Sequence, residues 1–168
     1  MDVYSIWLFP EKDSRSRFRQ IILRLSKKLK SPSFYPHCTL YGRLNIPIHQ
    51  VIPVAEHLSN SLDQFSTIVK KLKTGKTKWK SLYLTVDKRR EMEISYNYCK
   101  KQFHTQRKYI FDPHVSIAYG KFTPEELHYA TKGIDIPQYL SFSSIAIVKT
   151  GENIEEWEIA FQRHLRVD

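Results

Sequence analysis

Apolar positions along this chain recur with two periods, and the switches between them mark out its elements. Val3–Phe9 is a compact apolar run closed by Pro10, which predicts a buried strand. Phe18, Ile21, Ile22, Leu25 and Leu29 then return at three-to-four spacing. They predict an amphipathic helix capped at Asp13 or Ser14 and stopped at Ser31–Pro32. Tyr35–Tyr41 reads as a second strand, and Val54, Ala55, Leu58 and Leu62 mark a helix with Pro53 in its first turn. Phe65–Leu72 and Lys80–Val86 read as a strand pair. Met92, Tyr96, Cys99 and Phe103 place a helix over Arg89–His104, and Tyr109–Tyr119 follows as a strand. Thr123–Pro124–Glu125–Glu126 carries a capping box with proline at the first helical position, and Gly133 ends that helix. Tyr139–Lys149 and Glu156–Arg163 complete the series, joined by a turn at Gly151–Asn153. In the last strand Trp157, Ile159 and Phe161 are expected to share a buried face. Strands and helices in this mixed order predict an α+β fold in one domain over residues 1–168.

Within that pattern one tetrapeptide occurs twice. His37–Cys38–Thr39–Leu40 and His114–Val115–Ser116–Ile117 both read His, apolar, hydroxyl, aliphatic. Each is preceded by proline (Pro36, Pro113) and followed by Tyr–Gly (Tyr41–Gly42, Tyr119–Gly120). Strand side chains alternate between faces, so each imidazole shares a face with its hydroxyl while the apolar members enter the core. Two such strands side by side would gather two imidazoles and two hydroxyls. That set suits opening of a phosphodiester: one imidazole takes a proton from water, the other gives one to the leaving oxygen. The hydroxyls hold the negative phosphate oxygens. The same alternation turns Cys38 inward and places Tyr41 on the His37 face, as a stacking candidate. The other five histidines lack the full motif. No His or carboxylate cluster has metal-ligand spacing, so no metal or cofactor is expected. Gly75–Lys76–Thr77 lacks the upstream glycine of a phosphate-binding loop, where Lys70 stands instead.

Charge adds a partner class. The 168 residues carry a net +10, and residues 64–108 alone hold thirteen basic against three acidic side chains. Lys76, Lys78 and Lys80 alternate with Thr77 and Trp79, which predicts a basic ridge on one strand face. Such clustering favours an anionic partner. Two cysteines exclude a disulfide scaffold and point to a reduced, cytoplasmic setting, and no apolar run is long enough to span a bilayer. The opening residues have no basic stretch or small-residue cleavage site, so no signal peptide is expected.

The doubled His-x-Thr/Ser-aliphatic motif resembles that of the 2H phosphoesterase superfamily. The opening VYSIWLFP, followed by an amphipathic helix and Pro–His, is similar to its cyclic nucleotide phosphodiesterase branch. The resemblance implies a bilobal fold, with two antiparallel sheets lining a cleft and helices outside. It implies His37 and His114 as catalytic residues and Thr39 and Ser116 as phosphate donors. Trp7 and Tyr119 would line the base or ribose side. The implied reaction is metal-independent opening of nucleoside 2′,3′-cyclic phosphates to 2′-phosphates, or of ADP-ribose 1″,2″-cyclic phosphate, by a monomer. His114 is expected as the base and His37 as the acid. Two alternatives remain open on the sequence: a relative acting on RNA ends or 2′–5′ linkages, and a non-catalytic RNA-binding module.

Overall fold

A computed structural model describes residues 2–167. Among these residues, seven antiparallel strands form one continuous sheet: β1 (Tyr4–Pro10), β2 (Cys38–Leu44), β3 (Phe65–Thr77), β4 (Lys80–Val86), β5 (His114–Ala118), β6 (Tyr139–Lys149) and β7 (Glu158–His164). Four helices, α1 (Lys12–Leu29), α2 (Ile48–Ser61), α3 (Arg90–Phe103) and α4 (Pro124–Thr131), complete the α+β fold. The strand order is β2-β1-β6-β3-β4-β5, with β7 pairing β6.

The two expected sheets are two arms of this one sheet, joined through β3. Residues Phe65–Ile68 of β3 pair with β6, and Val69–Thr77 pair with β4. The motif-bearing strands β2 and β5 lie at opposite ends of the strand order, yet they contact each other. The sheet therefore curves until its ends meet. Cys38 is fully buried, and its burial pushes the thiol up to about 12 against a small opposing effect from the His114 backbone.

Helix faces follow the apolar periodicity. Phe18, Ile21, Ile22 and Leu25 of α1 are buried, and α1 packs on β5 and α4 as well as β1. Its N-cap is Glu11, whose carboxylate accepts from the Ser14 and Asp13 N–H groups. The expected caps lie one turn inside, because a carboxylate at the positive helix end does the same work. The Thr123–Glu126 capping box forms as expected. Helix α2 starts at Ile48, so Pro53 stands in its interior rather than its first turn. Pro47 at the N-cap supplies the start signal instead, and buried Val51, Val54, Ala55 and Leu58 outweigh the lost hydrogen bond.

Strand β7 corrects another expectation. Ile159 is exposed, and Trp157 and Phe161 are only half-buried. This strand pairs with β6 alone, so its alternation does not enclose a buried face. The expected basic ridge does not form either. Lys78 and Trp79 make the turn between β3 and β4, so the three lysines do not share a strand face.

Candidate active site

Each motif histidine stands at the entrance to its strand behind a proline. His37 Nδ1 lies 2.7 Å from the Tyr35 carbonyl, and His114 Nδ1 lies 2.6 Å from the Asp112 carbonyl. The two contacts are the same contact made twice, to the residue two positions upstream. A carbonyl only accepts, so Nδ1–H donates and the neutral ring leaves Nε2 as its acceptor. The extended backbone that precedes a proline holds each carbonyl in place.

Both imidazoles line one cavity of about 220 Å³. Thr39, Trp7 and Tyr119 line it too, together with Ser5, Gly42, Arg43, Trp79, Lys80, Tyr109, Thr150, Gly151 and Trp157. Trp7 stacks on His37 with centroids 3.4 Å apart and planes 7° apart. It also meets Trp157 edge-on, while Trp157 stacks on Trp79. A larger hollow of about 450 Å³ between α1 and the Gly133 turn contains none of the motif residues.

Two β-bulges decide which aromatic residues reach the cavity. Trp7 pairs with Thr39, but Ile6 pairs with Tyr41, so one step on β1 matches two on β2. Leu40 is the extra residue, and beyond it Tyr41 turns to the core face with Ile6. Tyr41 is fully buried against Tyr96, Phe103 and Tyr109, and its hydroxyl donates to the Arg107 carbonyl. The expected stacking role of Tyr41 is therefore corrected to core packing. On β5 the register shifts once between Tyr83↔Ser116 and Leu82↔Ala118. That shift brings Tyr119 back to the cavity face, although simple alternation from His114 points it away. Ser116 pairs with Tyr83 on the His114 side but is buried and outside the cavity lining. Its hydroxyl partly opposes the rise that burial imposes on the Tyr119 phenol, which is pushed up to about 12.

Burial also governs the imidazoles. His37 is pulled down to about 3, chiefly because a charged ring there would lose its water. His114 is lowered too: burial dominates, the Asp112 carbonyl opposes it, and the Lys80 charge adds to it. Lys80 pairs with the Asp112 carboxylate and sits 4.5 Å from the centre of the Tyr83 ring, which meets His114 edge-on. Among the described residues, no group of three or more His, Cys, Asp or Glu side chains is placed to hold a metal ion. No described helix is long and apolar enough to cross a membrane.

The sequence model of a family described as "Cyclic phosphodiesterase-like protein" matches residues 1–165. The chain belongs to this family. It is a phosphodiesterase of the 2H phosphoesterase superfamily. A cyclic phosphodiesterase of Arabidopsis thaliana is 26% identical over 125 residues, covering 74% of this chain and 69% of the relative. The fold of TT0787 from Thermus thermophilus matches with a TM-score of 0.68 at 11% identity, over 99% of both chains. Escherichia coli LigT complexed with 3′-AMP matches with a TM-score of 0.63 at 10% identity, over 98% of both chains.

Sequence reasoning missed Trp79, Trp157, Tyr109, Arg43 and Lys80 as parts of this phosphodiesterase's cavity. One compositional signal was available: all three tryptophans of the chain line it. Gly42 makes room for another of the missed residues, since a Cβ there would stand 3.2 Å from the Tyr109 ring and 3.5 Å from the Thr39 methyl.

Proposed function

We propose that this phosphodiesterase opens nucleoside 2′,3′-cyclic phosphates to 2′-phosphates without a metal ion. The observation that carries the reading is the matched pair of imidazoles in one cavity, each with Nδ1 held by a backbone carbonyl. In this reaction water attacks phosphorus and gives its proton to one Nε2. The bond from phosphorus to the 3′ oxygen breaks, and that oxygen takes a proton from the other ring's Nε2–H. Thr39 donates to a non-bridging oxygen, and Lys80 adds positive charge on the same wall.

Burial favours His37 as the base and His114 as the acid, the reverse of the sequence expectation. His37 is the ring held more firmly neutral; the carbonyl contacts are alike on both rings, but the Asp112 carboxylate also helps His114 keep a proton. The test is turnover of 2′,3′-cyclic AMP with EDTA present, with 2′-AMP as the expected product. Formation of 3′-AMP, or loss of turnover on chelation, overturns the reading. The same assay carries a pH expectation. Both rings lie below the ordinary histidine value of ~6.5 in the free enzyme, so few molecules near neutrality hold the required single proton. kcat/KM should rise as pH falls below about 6.5, and fall again only when the second ring charges. A maximum above pH ~7.5 contradicts this order.

A second reading, an enzyme for cyclic-phosphate-ended RNA, is favoured by the exposed Lys71, Lys73 and Lys76 on the β3–β4 hairpin. Salt dependence separates the two. Each phosphate neutralised on a single strand contributes about −0.7 to the slope of log K against log salt. A slope steeper than about −2 for a short RNA, reduced by charge-removing changes at these lysines, supports the RNA substrate. A slope near about −1 supports the mononucleotide.

A further inference from the structure

The cavity continues past the histidines along β1, to a place where a carboxylate lies between two cations. Glu152 Oε1 is 3.3 Å from Arg43 Nη2, and its Oε2 is 2.7 Å from Lys78 Nζ. Arg43 comes from the end of β2, Lys78 from the β3–β4 turn and Glu152 from the loop after β6. Arg43 and the neighbouring Gly151 line the same cavity as His37 and His114.

The local backbone is built to hold Arg43 there. Its φ is 60°, a left-handed conformation that a side chain other than glycine adopts at a cost. Its N–H donates to Ser5 Oγ, and Ser5 in turn meets Thr150 Oγ1 at 3.0 Å. Ser5 stands two residues before Trp7 on β1, about 7 Å along the strand. Ser5, Trp7 and Arg43 all line the cavity that holds the imidazoles.

We propose that Arg43 and Lys78 form a second anion site, occupied by Glu152 in the free enzyme, which takes a phosphate on the 5′ oxygen of the same substrate. This rests on the reading of the cavity as a cyclic phosphodiesterase site. In the proposed pose the cyclic phosphate lies between the imidazoles and the 5′ oxygen is directed toward Arg43, which lines the same cavity. A single carboxylate leaves the two cations with one positive charge in excess. A terminal phosphate supplies up to two negative charges, and its oxygens match the guanidinium fork. Glu152 is readily displaced, because exposed ion pairs of this kind are weak. The space beside Gly151 is open, since a Cβ there would meet nothing within 4 Å.

The test is a binding titration on the intact enzyme, read from tryptophan fluorescence. The probes are adenosine 2′-phosphate, adenosine 2′,5′-bisphosphate, and a diadenylate ending in a 2′-phosphate, whose second phosphate is a diester. The bisphosphate should bind at least about tenfold tighter than the monophosphate, as two charge-assisted contacts provide. The gain should shrink toward onefold in Arg43→Gln and in Lys78→Gln, and grow in Glu152→Gln. Lys78→Gln leaves the strained position intact, so a folding defect at Arg43 does not blur the result. An equal gain with the diadenylate, lost in the same variants, identifies an internucleotide phosphate at this site. Equal affinity for monophosphate and bisphosphate, or a gain that survives both substitutions, overturns the proposal. Failure of the parent reading is separate: it appears as absent turnover of cyclic phosphates, while these binding ratios remain measurable.

Discussion

His37→Ala and His114→Ala should each lower kcat on 2′,3′-cyclic AMP by at least about 10²-fold, the lower end of what a placed acid or base contributes. The double variant should be little worse than either single one. Base and acid act in one displacement, so removing the second after the first removes little more. The size of the loss has a structural source. Each ring is fixed at Nδ1, and His37 is further clamped on the Trp7 face, so neither Nε2 has to be oriented at the moment of reaction. Steady-state rates for the three variants check this. His37→Ala turning over near the wild-type rate would remove the two-imidazole mechanism.

The second large effect is on stability in acid. His37 is pulled down to about 3 by burial, against ~6.5 for an unfolded chain. Above pH ~6.5 the ring is neutral in both states, and pH does not move the folding equilibrium through this group. Below it the unfolded chain takes up the proton first, and the folded form loses about 1.4 kcal/mol per pH unit until the folded value is reached. The full loss approaches about 5 kcal/mol at pH ~3, a large share of the ~5–15 kcal/mol that holds a typical domain together. Paired carboxylates such as Asp112 and Glu152 lie below the ordinary carboxylate range and act further down the scale. The window from pH ~6.5 to about 4.5 therefore belongs to the buried histidines, His37 and to a lesser degree His114. Urea denaturation across that window is the measurement. His37→Phe keeps an aromatic ring against Trp7 and cannot titrate, so its stability should fall less steeply. Parallel slopes in the variant and the wild type would show that His37 does not carry the acid response.

The readable part of this protein was its periodicity. The capping box at Thr123 and the strand Lys80–Val86 appear in the structure where the sequence placed them, because each depends on neighbours a few residues away. The doubled motif was equally local. Features that depend on register were not readable. Alternation placed Tyr41 at the cavity and pointed Tyr119 away from it, and one extra residue in each strand reversed both. Nothing in Thr39–Leu40–Tyr41 announces a bulge, because the pairing partner that defines it sits far back in the chain on β1. Trp79 escaped for a related reason. Its place among lysines resembled a strand face, while the chain in fact turns there and aims the ring at Trp157. Trp157 itself precedes β7 and meets its aromatic partners from a loop.

The crossed helix packing also has a consequence for how the chain could be divided. Helix α1 follows the first strand but rests on β5, which carries the second histidine; α3 follows β4 but rests on β2, which begins just after the first. Each half of the sequence thus supplies the buttress for the other half's motif. A duplication visible in the primary structure is therefore not a pair of separable modules. A fragment ending near Leu62 would contain one of the two motif histidines and lack the helix that supports its strand, and the complementary fragment would be deficient in the mirror sense. Only co-expressed pieces could restore each other. The symmetry of the motif is catalytic, and the architecture beneath it is interlocked.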